Sequence, residues 1–155
     1  MRDVQSWLDE YSDSHRNPAN KRIHWICVPL IMLSVLGILW SVPVPVFFAS
    51  VSRYMNWATL LILLSIIYYF MLSVRLAAGM LLVSLAMCLA LEILARLPWS
   101  LLWTSIAVFV GAWIGQFIGH KIEGKKPSFF KDLQFLLIGP IWLLADAYKR
   151  LGFAY

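Results

Sequence analysis

Ile23-His24-Trp25-Ile26-Cys27-Val28-Pro29-Leu30-Ile31-Met32-Leu33-Ser34-Val35-Leu36-Gly37-Ile38-Leu39-Trp40 is a run of 18 residues without a formally charged side chain. As an α-helix it reaches about 27 Å, close to the hydrocarbon thickness of a bilayer. Backbone groups in lipid find no water, so such a run must close its hydrogen bonds internally, as a helix. Trp57 to Leu72, Leu76 to Ala95 and Trp99 to Ile118 repeat the pattern. The expected fold is all-α: an integral membrane helical bundle of four transmembrane helices, with short interfacial or re-entrant helices at both ends. With 61% hydrophobic and only 14% charged residues, the 155-residue chain departs from the soluble globular norm. Its length suits a single membrane domain, 1–155. Residues 1–22 are expected as a cytoplasmic interfacial segment, 23–119 as the four spans, and 120–155 as a cytoplasmic or interfacial C-terminal segment.

Charge placement suggests the orientation. Ten of the thirteen basic residues lie before the first span or after the fourth. The three connections hold one each: Arg53, Arg75 and Arg96. An even number of spans puts both termini on one side, which the positive-inside rule makes cytoplasmic. The formal charge of +5 then reads as topology and anionic-lipid contact rather than nucleic-acid binding, for which no motif is present. The first 22 residues are too polar for a signal peptide, so the first span is expected to direct insertion. A bacterial inner membrane is the favoured location, or the endoplasmic reticulum in a eukaryote. Cys27 and Cys88 fall inside spans and read as packing residues.

Val4, Trp7, Leu8 and Tyr11 line one face of an amphipathic helix over 1–14, suited to the interface or to packing under the bundle. Asn17-Pro18 fits an N-cap followed by proline at the first helical position. Gly111, Gly115 and Gly119 recur every four residues and predict a packing groove on the fourth span. Glu92 and Arg96 form an i, i+4 surface pair. Gly124 and Pro127 end the fourth helix. Beyond them, 128–151 reads as one or two short helices interrupted at Gly139-Pro140. The apolar part, Phe135 to Ala145, is too short to span.

The only histidines of the chain, His15, His24 and His120, all fall at span edges on one expected face of the membrane. The Asn17-Pro18 break lets His15 fold back over the start of the first span. Asn20 and His24 share a helix face, as do Gln116, His120 and Glu123. Bundling the first and fourth spans would bring three imidazoles and a carboxylate together, a donor set suited to iron or zinc. His15, His24 and His120 are the expected catalytic metal ligands, with Glu123 and Asp146 as weaker candidates. Asn17, Asn20 and Gln116 would orient the rings from behind. Lys21, Arg22 and Lys121 could attract an anionic substrate, or simply snorkel.

His15-Arg16-Asn17-Pro18-Ala19-Asn20, with His24 and Pro29, resembles the opening H-x-N-x-x-N-x-x-x-H motif of the 2-hydroxy fatty acid dioxygenase family. Trp113, Gln116-Phe117-Ile118-Gly119-His120, Glu123 and Pro127 look like its second motif. Pro140 followed by Asp146 is similar to its late proline-to-acid pattern. Two positions depart from that pattern: the acid after the third histidine stands at +3 rather than +4, and the late acid is aspartate rather than glutamate. The resemblance implies an Fe(2+)-dependent enzyme that uses dioxygen to shorten a 2-hydroxy fatty acid by one carbon (α-oxidation). Such a reaction needs no 2-oxoglutarate, flavin or reductase. A metal-dependent membrane lipid hydrolase and a non-enzymatic scaffold or carrier are the other readings the residues allow.

Overall fold

The computed structural model describes residues 3–124 and 135–155, Ala49 by its backbone alone. Lys125, Lys126, Pro127, Lys131 and the expected helical segment 128–134 lie outside the described residues. Seven helices and no strand occur among those described. They are α1 (Val4–Ser12), α2 (Pro18–Ser41), α3 (Val46–Val51), α4 (Trp57–Leu72), α5 (Val74–Leu94), α6 (Leu101–Glu123) and α7 (Ile138–Leu151).

Each long helix begins where its sequence supplies a cap. The Asn17 side chain accepts from the Ala19 N–H, with Pro18 at the first helical position. Asn56 and Thr59 cap each other reciprocally at the start of α4. Ser73 closes α4 and caps α5, so the two helices meet in a one-residue turn and must run antiparallel. Ser100 caps α6, and Gly124, at φ 73°, ends it in the left-handed region that glycine enters without strain. Helices α2, α5 and α6, of 24, 21 and 23 residues, are long and apolar enough to cross a membrane. The expected second span, α4, is a shorter apolar helix of 16 residues, about 24 Å long. Four expected spans thus become three long helices and one shorter one. The expected Glu92–Arg96 pair is formed, at 2.9 Å.

Antiparallel packing of α6 along α2 forms the most extensive helix pair. Gly115 faces Cys27, and a Cβ at 115 would sit 2.6 Å from its sulfur. Gly119 lies against Asn20, and Gly37 of α2 lies against Ser105 of α6. Gly111 belongs to no such approach: nothing stands within 4 Å of where its Cβ would be. Steps of four residues advance about 400°, so the glycine row drifts about 40° per step and Gly111 leaves the contact. The groove expected from three glycines is therefore made by two, with Gly37 serving the opposite end.

Helix α7 closes the histidine end of the bundle. Ile138, Gly139, Pro140, Ile141, Trp142, Leu143 and Ala145 are all buried, packed among α1, α2 and α5. The segment is therefore enclosed by the bundle rather than lying flat on it. Gly139-Pro140 does not interrupt a helix but opens one. Pro140 sits in the first turn, where its missing N–H would have had no helical acceptor. Hydrogen bonds pin the helix on two sides: Trp142 Nε1 donates to Ser12 Oγ at 2.7 Å, and Tyr69 Oη donates to the Leu137 carbonyl at 2.8 Å.

The glycine geometry separates two similar substitutions. Gly115→Leu is expected to force α2 and α6 apart and cost about 1–3 kcal/mol, whereas Gly111→Leu is accommodated. Thermal unfolding in detergent checks this; equal losses for both variants would contradict the packing described.

Candidate metal centre

Three elements deliver the three histidines. His15 follows α1 in a turn closed by its own N–H to the Ser12 carbonyl, at 2.9 Å. His24 lies in the second turn of α2, and His120 in the last turn of α6. All three are buried, with 2%, 1% and 7% of their surface exposed. One ligand atom from each lies within 4.8 Å of the others. The imidazoles predicted to meet from distant parts of the chain are brought together.

Tautomers decide what this cluster can do. His15 Nδ1 lies 2.6 Å from the Tyr11 carbonyl oxygen, and His24 Nδ1 lies 3.0 Å from that of Asn20. A carbonyl only accepts, so each Nδ1 carries the proton. In the neutral rings both Nε2 atoms then present lone pairs, and these two atoms stand 2.8 Å apart. Two lone pairs at that distance repel unless a cation or a proton lies between them. A proton would leave an imidazolium in a nearly dry interior, at a considerable desolvation cost. A divalent ion suits both nitrogens. Imidazole nitrogens bind such ions at about 2.0–2.1 Å, so two that share one ion must stand within about 4 Å of each other, as these do. The site therefore fits a borderline metal such as iron or zinc.

The surroundings hold this arrangement in place. The Tyr11 ring stacks on His15 with centroids 4.2 Å apart and planes 14° from parallel. Trp142 packs against both Tyr11 and His15. Gly119 leaves room for Asn20 and His24, since a Cβ there would collide with Asn20 Oδ1 and touch the His24 ring at 3.5 Å. Asn20 itself cannot easily withdraw. Its amide nitrogen donates to the Ser14 carbonyl at 3.3 Å and to Glu123 Oε2 at 2.9 Å.

Glu123 stands outside the imidazole group. Its carboxylate accepts from the Arg16 N–H at 2.8 Å, the Asn17 N–H at 2.9 Å and the Asn20 amide. It braces the α6 terminus against the start of α2, where exposed N–H groups and the helix dipole favour an anion. Asp146 is also outside the group and pairs with Arg150 at 2.9 Å. Asn17 acts as a helix cap, and Asn20 orients His24 through its backbone carbonyl rather than its amide. Gln116 is buried and, with Tyr11, His24, Val28, Ile31 and His120, lines a cavity beside the histidines.

None of the expected anion-attracting cations lines that cavity. Arg22 and Lys121 are exposed, and Lys21 faces a separate polar pocket with Asp9, Asp146 and Lys149. Helical register explains this: Arg22 is about 200° around α2 from His24, and Lys121 about 100° around α6 from His120. Tyr11, Gly119 and Trp142 were not singled out as site residues. The usable signal was the i−4 spacing that aims each Nδ1 at a carbonyl, Tyr11 for His15 and Asn20 for His24.

A family model described as 2-hydroxy-palmitic acid dioxygenase Mpo1-like matches residues 1–151. The chain belongs to this Mpo1-like family. The match spans all seven helices, α1 to α7, so every element that builds the histidine cluster lies within it. No curated protein and no solved structure matches the chain.

The glycine at 119 and the brace at 123 make distinct predictions. Gly119→Ala is expected to displace Asn20 and His24 and weaken metal binding about tenfold, read by metal titration. Glu123→Ala is expected to lower stability by about 1–3 kcal/mol, because it strands backbone and amide donors, read by thermal unfolding. An unchanged melting temperature for the second variant would contradict the brace.

Proposed function

We propose that this chain is an Fe(2+)-dependent membrane dioxygenase that converts a 2-hydroxy fatty acid into the fatty acid one carbon shorter. The observation that carries this reading is the pair of Nε2 atoms facing each other at 2.8 Å, with His120 beside them, in a chain of the Mpo1-like family. His15, His24 and His120 hold the ion. The Tyr11 and Asn20 carbonyls keep the Nδ1 protons in place, so the Nε2 lone pairs of His15 and His24 stay turned inward.

Iron, when bound, supplies the redox chemistry that couples dioxygen to the substrate. The overall change balances as R-CH(OH)-COOH plus O2 giving R-COOH, CO2 and H2O. No outside reductant enters, so neither 2-oxoglutarate nor a flavin is required. Among the described residues the cavity lining has no lysine or arginine. A metal held by the three histidines would supply a positive centre for the substrate carboxylate, and Gln116, which lines the cavity with His24 and His120, would offer it a neutral hydrogen-bonding group. Val28, Ile31 and Leu136 wall the cavity against water. The histidine end faces the cytosol on this reading, as the basic termini suggest.

Protein loaded with iron under anaerobic conditions is expected to convert 2-hydroxypalmitate to the acid one carbon shorter once oxygen is admitted. Mass spectrometry should find one product per oxygen consumed. His15→Ala, His24→Ala and His120→Ala are each expected to lose bound metal and reduce turnover by about a hundredfold or more. Bound zinc with no oxygen uptake would overturn the oxygenase reading in favour of hydrolysis.

A further inference from the structure

The cavity beside the histidines is built like an amphiphile. One end is polar, with His24, His120 and Gln116, and the other is apolar, with Val28, Ile31 and Met32. A second cavity, lined almost wholly by apolar surface, lies next to it, and the two share Met32, Leu136 and Pro140 as walls. It runs between α2, α4 and α5, past Val35, Leu36, Leu61, Ser65, Met80 and Ser84. The α2 residues on this path, His24, Val28, Ile31, Met32, Val35 and Leu36, follow the three- and four-residue steps of one helix face. The two cavities thus lie in line along one face of α2.

We infer that the second cavity is the acyl-tail site and that its far end, at Leu36, Leu61 and Ser84, sets chain-length preference. The inference rests on the proposed 2-hydroxy acid substrate for its headgroup, and on the cavity alone for its tail. The twelve residues from His24 to Leu36 rise about 18 Å along the helix. A saturated chain with bonds of about 1.5 Å advances about 1.25 Å per carbon, so the lane suits about 14 carbons beyond the headgroup. Two hydroxyls on the lane are already bonded to backbone carbonyls. Ser65 Oγ donates to the Leu61 carbonyl at 2.8 Å, and Tyr69 Oη to that of Leu137. The tail thus meets mostly carbon, and the small side chains at 65 and 84 leave width for it. Met32, at the junction, is unbranched and can re-pack around a passing chain.

Two measurements test this. A 2-hydroxypalmitate carrying a diazirine at its ω-carbon, photolysed with the full-length protein in bilayers, is expected to label the inward residues Leu61, Ser65, Met80 and Ser84. Adducts confined to the outward Leu63, Leu64, Leu82 and Leu85 would overturn the site. In turnover, Ser84→Phe is expected to lower kcat/KM for the sixteen-carbon substrate about tenfold or more and leave an eight-carbon analogue unchanged, as lost burial of a few methylenes implies. Leu61→Ala is expected to shift preference toward longer chains, and it decides the matter if Ser84→Phe does not fold. A chain-length profile identical to wild type in Leu61→Ala overturns the inference. Interior labelling without oxygen uptake by the wild type would support the tail site and sink the dioxygenase reading, so the two failures are distinguishable.

Discussion

Two neutral imidazoles with their lone pairs aimed at each other across 2.8 Å are not a stable pair in isolation. Everything around them serves to keep them there. Carbonyls four residues upstream accept hydrogen bonds from both Nδ1–H groups. Tyr11 and Trp142 pack around the His15 ring, and Gly119 clears the space in which His24 sits. Electrostatic repulsion held in a buried cleft makes a strong site for a cation, because the free energy of binding includes relief of that repulsion. The cost of organising the cleft is borne by the helix packing around it.

That packing is asymmetric along the bundle. At the histidine end, α1, α7 and the starts of α2 and α5 enclose aromatic and polar groups. Farther along, Leu36, Ala58 and Leu91 form an apolar cluster. Outward faces carry large hydrophobic residues such as Leu82, Leu89 and Ile114, as a lipid-facing surface requires. The same fold therefore offers a polar pole and an apolar interior, which suits a reaction at the head of a long-chain molecule. Membership of the Mpo1-like family and the buried histidine group bear independently on that chemistry.

Much of this was legible in the sequence. Hydropathy located the long helices, and the Asn17-Pro18 break announced that His15 could return over His24. What periodicity could not convey was partnership across distance. Glu123 shares a helix face with His120, so spacing placed it with the ligands. Its real partners lie more than a hundred residues earlier, at Arg16, Asn17 and Asn20, and are mostly backbone donors that no side-chain pattern reveals. Lys21, Arg22 and Lys121 are close to histidines in sequence but are turned away from the cavity by helical register. Gly139-Pro140 reads as an interruption because a proline inside an apolar run breaks a helix, yet the same residue is harmless in a first turn. Gly111 shows the limit of a one-helix pattern: which glycines are approached depends on the crossing neighbour.

Glu123, clasping the loop before α2, also has a consequence for biogenesis. His15 and His24 emerge from the ribosome about a hundred residues ahead of His120, and the brace forms only after the last long helix has been threaded into place. A half-made chain thus holds two imidazoles and no clasp. The three imidazoles stand together only when α6 lies along α2, so the cluster exists in the assembled bundle and not in its first half alone.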